Sequence, residues 1–224
     1  MCGRYAITTA PEAILRWFKI VGTPPNLPPH YNAAPGQDLP VVRIHPETGE
    51  RVLSDLRWGL IPYWSKDRKI GWKCINARGE TARTAPAFRS AYNARRCLVP
   101  ANAFYEWRAN GKTKQPFAIA PRDRGLFAFA GLWENWKDPT SEEWVRTFTI
   151  LTTTPNEVVA LLHDRMPVIV GPGDYDRWLD TKFDPAALIQ PYPAEEIVTW
   201  PVSTRINRPE NDDAAVLDRV EATA

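Results

Sequence analysis

A cysteine directly after the initiator methionine, Cys2, is the residue of this chain with the most chemistry to offer. Cysteine is small enough for Met1 to be removed ahead of it, which leaves a free α-amine beside a thiol. The α-amine has a reference pKa near ~8 against ~10.4 for lysine, so far more of it is the neutral nucleophile at neutral pH. An amine condenses with an aldehyde to a Schiff base, and a thiol two atoms away then closes a five-membered thiazolidine ring. A 1,2-aminothiol is thus a trap for aldehydes. The plainer alternative for Cys2 is a small buried hydrophobe near a terminus.

Three further places can carry chemistry. Glu106 is the only acid in the largely apolar stretch 97–107 (CLVPANAFYEW), between Tyr105 and Trp107. Burial against aromatic rings raises a carboxyl pKa and suits it to proton transfer; an outward position on an alternating strand is the alternative. His163 stands at the end of an apolar helical stretch, beside Asp164 and Arg165, which can orient an imidazole. A structural histidine fits that position as well. Asn76 and Arg78 are two apart, so on an extended segment both face one side, an amide for an amine or hydroxyl and a guanidinium for a phosphate. Just upstream, the stretch 58–64 (WGLIPYW) ends on Trp64, an aromatic suited to stacking.

The elements that position these residues follow from periodicity and turn chemistry. Residues 11–20 have helical spacing, with Thr9 as the expected N-cap. Residues 23–40 hold six prolines and are expected to be extended loop. Residues 41–45 and 51–57 flank Pro46-Glu47-Thr48-Gly49, a hairpin turn. A helix is expected over 84–96 after Pro86, and strands over 97–107, 116–120, 126–133 and 145–152. A short helix at 155–163, a strand at 166–170, a short helix at 174–179 and a strand at 197–202 complete the pattern. The tail after Pro209 is polar and expected to fray. The sum is an α+β fold, one domain over 1–224, with a curved, mainly antiparallel, barrel-like sheet and a few short helices.

Composition narrows the class. The chain has 224 residues, with 44% hydrophobic and 24% charged, ordinary globular values that exclude a wholly disordered chain. No apolar run is long enough to span a membrane, and the N-terminus has no signal-peptide pattern. Cys2, Cys74 and Cys97 form no CxxC pair, which favours a reducing, cytoplasmic setting and argues against a cysteine zinc site. The net charge of +2 conceals an asymmetry: residues 57–124 carry fifteen Lys/Arg against four Asp/Glu, a balance of +11. Such a segment is an electrostatic footprint for a polyanion, unless the acidic C-terminal third neutralises it in space. The ten tryptophans either fill an irregular core or give flat surfaces to a nucleobase.

The motifs MCGRY (1–5), YNAAPGQ (31–37), WGLIPYW (58–64), NARGET (76–81), CLVPANAFYEW (97–107), LHDRMPVI (162–169) and PVSTRIN (201–207) together resemble the SOS-response-associated peptidase family of abasic-site processing proteins. The resemblance implies a covalent crosslink between the processed Cys2 and a ring-opened abasic sugar in single-stranded DNA. By that resemblance Asn76 positions the amine, Glu106 shuttles protons, and His163 holds the opened sugar's hydroxyl. Arg4, Arg78 and Arg165 grip flanking phosphates, Trp64 is a stacking wedge, and Thr152 lines the pocket. Ser65 stands where some members carry a second aromatic. No metal or cofactor is called for. The partners implied are abasic single-stranded DNA and a methionine aminopeptidase for Met1. The expected state is a cytoplasmic monomer, nucleoid-associated if the source is bacterial, with lyase and autopeptidase activity as further expectations. The rivals are an N-terminal-nucleophile hydrolase, in which the Cys2 thiolate attacks an amide, and a non-enzymatic single-strand-binding module.

Overall fold

The computed structural model describes residues 2–111, 113–123 and 125–221. In chain order the strands begin with β1 (Tyr5–Ile7), β2 (His30–Ala33), β3 (Asp38–Ile44), β4 (Arg51–Trp58), β5 (Asn76–Arg78) and β6 (Arg96–Ala101). They continue with β7 (Ala103–Asn110), β8 (Thr113–Pro121), β9 (Phe127–Lys137), β10 (Trp144–Thr153), β11 (Met166–Pro167) and β12 (Ile197–Pro201). The helices are α1 (Pro11–Trp17), α2 (Gly79–Ala82), α3 (Arg89–Ala94), α4 (Glu157–Ala160) and α5 (Tyr175–Leu179).

Five strands close on themselves. β4 pairs with β3, β3 with β6, β6 with β9 and β9 with β10, all antiparallel, and β10 returns to β4 in parallel. Closure leaves these strands without an exposed edge. Trp58 and Phe148, neighbours across the parallel seam, stack with ring centroids 6.2 Å apart, and Tyr5 packs on Trp58 and Phe129. Gly131 lets β6 and β9 approach closely, since a Cβ there would meet the Cys97 sulfur at 2.8 Å. A second, open antiparallel sheet runs in the order β12, β8, β7, β1, β2 and buries its own smaller core around Tyr105, Trp200, Ile206 and Val216. The α+β class and the barrel-like, mainly antiparallel sheet match the expectation.

Several local expectations are corrected. The stretch 97–107 is two strands that enter different sheets. Asn102 separates them: its N–H donates to the Ala6 carbonyl, and its side-chain oxygen accepts from the N–H groups of Thr8 (2.7 Å) and Thr9 (3.1 Å). Thr9 is therefore engaged with Asn102 and does not cap α1; Ala10 holds the N-cap position with no side-chain bond, and Pro11 opens the helix. Within the proline-rich 23–40, residues 30–33 and 38–40 are strand. The strand expected over 166–170 shortens to Met166–Pro167 plus an isolated bridge from Ile169 to Phe129. The helix expected over 84–96 contracts to α3. The C-terminal segment is docked as far as it is described. Asp212 accepts from the N–H groups of Tyr31 and Asn32, the Trp200 indole donates to the Leu217 carbonyl at 2.8 Å, and Val216 is buried. Residues 222–224 lie outside the described residues.

Asn102 ties the exit of β1 to the point where the chain leaves the barrel. Asn102→Ala orphans two backbone donors and is expected to cost about 2 kcal/mol, read as a lower urea midpoint at unchanged slope. An unchanged midpoint would mean that water replaces the amide without loss.

Candidate active site

The first residues of the chain run alongside β7. Tyr5 opposes Phe104 and Ala6 opposes Ala103, and the Tyr105 N–H donates to the Arg4 carbonyl at 3.1 Å. Continuing that register brings Gly3 and Cys2 to the level of Glu106 and Trp107. Cys2 is fully buried, with its sulfur 3.8 Å from the Arg4 carbonyl oxygen. Burial pushes the thiol well above its ordinary pKa, and the negative charge of Glu106 adds to the effect. The thiol is thus protonated at neutral pH.

Glu106 sits on β7 opposite Phe117, 2% exposed. Removal from water pushes its carboxyl up to about 7, and the charge of Asp164 pushes the same way. The group is therefore close to half-ionised at neutral pH, where a carboxyl gives and takes a proton with equal ease. It lines an open cavity of about 440 Å³ together with Trp107, Lys114, His163 and Asn207. The Trp107 indole donates to the Asn207 side-chain oxygen at 2.8 Å, which fixes that wall.

His163 follows α4. Burial lowers its pKa, with the charge of Lys114 acting in the same direction and Asp164 opposing. Its Nδ1 accepts from the Arg165 N–H at 3.0 Å and lies 2.8 Å from an Asp164 carboxylate oxygen. One nitrogen cannot serve both at once: Nδ1 accepts from Arg165 only without a proton, which on the neutral ring leaves the proton on Nε2, and it meets Asp164 as a donor only with one. The lowered pKa favours the neutral ring. The same Arg165 clasps Glu80 through two bonds of 2.7 Å and donates to the Thr152 carbonyl at 2.6 Å. That fork holds the Glu80 carboxyl below its usual range.

Asn76 and Arg78 lie on β5, paired in parallel with Ile150 and Thr152 of β10. The alternation of the strand turns both away from the buried Ala77, as expected. Among the described residues the buried Asn76 side-chain oxygen has no hydrogen-bond donor, an arrangement that costs energy unless a ligand supplies one. Arg78 is exposed and makes no side-chain bond or ion pair among the described residues. Thr152 is buried beside it. Arg4 is partly buried, with one terminal nitrogen donating to the Gly3 carbonyl at 2.9 Å and Nε without a partner among the described residues.

Cys2 and Glu106 are thus linked by charge, Glu106 and His163 by the cavity that both line, and Asn76, Arg78, Thr152 and Arg165 by the β5–β10 pairing and the Arg165 bond to Thr152. Trp64 stands outside the cavity lining, 49% exposed, with its indole donating to the Pro86 carbonyl at 3.3 Å. Lys114, Asn207 and Glu80 escaped the sequence reading. Glu80 had a signal, being one of only four acids in the basic segment. Among the described residues no group of three His, Cys, Asp or Glu side chains can hold a metal ion, and no helix is long and apolar enough to cross a membrane.

The family model described as SOS response associated peptidase (SRAP) matches residues 1–209. The chain is 42% identical to the abasic site processing protein YoqW of Bacillus subtilis, over 97% of this chain and 99% of that one. It is 34% identical to the abasic site processing protein HMCES of Gallus gallus, over 86% of this chain and 67% of the relative. A solved Bacteroides thetaiotaomicron protein superposes with a TM-score of 0.88 at 24% identity, covering 98% of this chain and all of that one. A Bordetella bronchiseptica protein superposes at 0.78 with 27% identity, covering 90% of this chain and all of that one.

The Glu106 carboxyl titrates higher in the folded chain than in the unfolded one. Between its unfolded value near 4.5 and about 7 the native state binds the extra proton, so stability falls as pH rises through that window, by up to about 3 kcal/mol. Glu106→Gln removes the ionisation. Its melting temperature should change less than wild type between pH 5 and 8 and exceed wild type at pH 8. Parallel melting curves at every pH would place the carboxyl in water.

Proposed function

The chain belongs to the SOS response associated peptidase family, and from that premise we propose that it processes abasic sites in single-stranded DNA by forming a thiazolidine crosslink through Cys2. The observation that carries the reading is a buried carboxyl, Glu106, with a pKa of about 7 whose charge is felt by the Cys2 thiol.

The steps balance without any redox partner. Removal of Met1 by an aminopeptidase frees the Cys2 amine. That amine adds to the C1′ aldehyde of the ring-opened sugar, giving a carbinolamine. Protonation of its hydroxyl by Glu106 expels water and leaves an iminium ion. The thiol sulfur then adds to the iminium carbon as its proton returns to the Glu106 carboxylate, and the five-membered ring closes. One C–N and one C–S bond form, and one water leaves. Glu106 ends as it began, so the same group supports the reverse path.

The surrounding residues fit supporting roles. The donorless Asn76 oxygen suits the amine of Cys2. Neutral His163 presents Nε2–H to a sugar hydroxyl. Arg78, unpaired and exposed, suits a phosphate, and Trp64 suits a neighbouring base. Arg4 reaches a phosphate as a partly desolvated cation. Arg165 has both terminal nitrogens committed to Glu80 and Thr152, so a phosphate contact there requires exchange with Glu80. An imine that undergoes β-elimination before ring closure would give strand cleavage, the lyase outcome. The amide-hydrolase alternative needs a thiolate, and a thiol pushed upward by burial and by Glu106 is poorly suited to that.

The test is to incubate the processed protein with a single-stranded oligonucleotide carrying one abasic site and to run a denaturing gel. Wild type should give a heat-stable shifted band and Cys2→Ala none, with binding to intact strands unchanged. Glu106→Gln should form the band more slowly and release it to competitor abasic DNA roughly 10²-fold more slowly. A heat-stable band from Cys2→Ala would sink the thiazolidine. Release from Glu106→Gln at the wild-type rate would move the proton transfer to His163 or water.

A further inference from the structure

At the end of the barrel away from β5, the strands frame a cavity that the chemistry above does not use. β3 and β9 run out there, and β4, β6 and β10 begin. Its volume is about 840 Å³, within the range of small-molecule pockets, about 300 to 1,000 Å³. The walls are the hairpin turn at His45 and Pro46, the entry to β6 at Arg95, Trp133 and Asn135 of β9, and the end of α5. Arg146 stands opposite Asn135 on β10, six residues before Thr152. At about 3.3 Å per strand residue, this end of the barrel is roughly 20 Å from Thr152.

Arg43 lies behind the Trp133 wall. Its guanidinium covers the Trp133 ring, 4.8 Å from the centroid, and the residue is 3% exposed. A buried cation is costly unless an acid and hydrogen bonds compensate it. Among the described residues Arg43 enters no salt bridge, its Nε has no partner, and its one side-chain bond is a long 3.5 Å to the Ile44 carbonyl. The aromatic face offsets part of the cost, while burial and the charge of Arg146 both work against the cation. Arg146 is exposed and has no acid partner among the described residues. The nearby acids are committed elsewhere: Glu134 to Arg95 at 2.8 Å, Asp176 to Arg51, and Asp180 to the Lys182 N–H at 2.9 Å. Two wall residues carry buried atoms that also lack a partner among the described residues. They are the Nε of Arg95, a donor, and the side-chain oxygen of Asn135, an acceptor.

We propose that this cavity binds a small molecule that carries a phosphate or carboxylate group and a hydroxyl or amine. Arg95 donates to the anionic group, whose charge balances the buried guanidinium of Arg43. Arg146, at the rim, draws the anion in. The hydroxyl or amine supplies the donor that the Asn135 oxygen lacks. The site lies apart from Cys2 and Glu106 and does not depend on their chemistry. Its occupant compensates a cost that exists only in the folded chain, so binding is read as stability.

The probes are glycerol 3-phosphate and glycerate, each compared with sodium chloride at the same ionic strength, and the readout is the melting temperature. At least one probe should raise wild type by about 3 to 6 °C at about ten times its dissociation constant. The probe with the larger shift names the anionic group. Arg43→Met should be unmoved by either probe, and Asn135→Leu should show less than about half of the wild-type shift. The measurement is repeated with the strand-binding face saturated by an intact single-stranded oligonucleotide, and the shift from the probe should persist on top of that from the DNA. Absence of a shift in wild type with both probes overturns the site. A full shift in Arg43→Met overturns it as well, because the buried charge would then play no part. Loss of the shift in the presence of the oligonucleotide overturns it by placing the anion on the strand-binding face. Should Arg43→Met fail to fold, Asn135→Leu decides, and a full wild-type shift in that variant overturns the site.

Discussion

The antiparallel pairing of β1 with β7, carried one residue further by the bond from the Tyr105 N–H to the Arg4 carbonyl, is the contact on which the rest of the site depends. It brings Cys2 from the very start of the chain to the side of a carboxyl more than a hundred residues away. The same pairing buries Glu106, because a strand covered on both sides and opposed by Phe117 has little access to water. Burial is what lifts that carboxyl to about 7. Position and proton affinity thus come from one piece of strand geometry, and the closed barrel beneath β1 supplies the stability that a buried ionisable group consumes.

A second set of bonds holds the turn that carries His163. Arg165 reaches across the fold to Glu80 and holds the Thr152 carbonyl, while its own N–H meets His163. The guanidinium therefore orients the turn that carries the imidazole, and the ring stays neutral beside Lys114. Glu80 sits within the basic third of the chain and pairs with Arg165. Among the described residues Arg78 has no such partner. The contrast separates a guanidinium that braces the fold from one that is left exposed.

How far this was legible in the sequence depended on the range of the interactions. The β3–β4 hairpin and strands β8, β9 and β10 were visible because apolar runs ended at turn residues such as Pro46-Glu47-Thr48-Gly49. The break at Asn102 was hidden, since alanines flank it on both sides and its cause is a set of bonds to Thr8 and Thr9 at the other end of the chain. Docking of the C-terminal segment was hidden for the same reason: Asp212 is polar in sequence and finds its donors at Tyr31 and Asn32. Cys2, Glu106 and His163 each stood out as chemistry, but local pattern left every one of them with a structural alternative. Only the joint motifs brought them together. Lys114 and Asn207 enter the cavity through strand pairing and a side-chain bond that no local pattern announces.

The measurement that bears most directly on the central claim is the site of attachment. Processed protein is reacted with abasic single-stranded DNA, the complex is digested with protease and nuclease, and the modified peptide is identified by mass spectrometry. The account predicts a sugar remnant on the peptide that begins at Cys2, bound through both nitrogen and sulfur, so that the adduct survives borohydride unreduced and its thiol resists alkylation. A remnant on a lysine, or on Cys2 through nitrogen alone with a thiol that still alkylates, would contradict it.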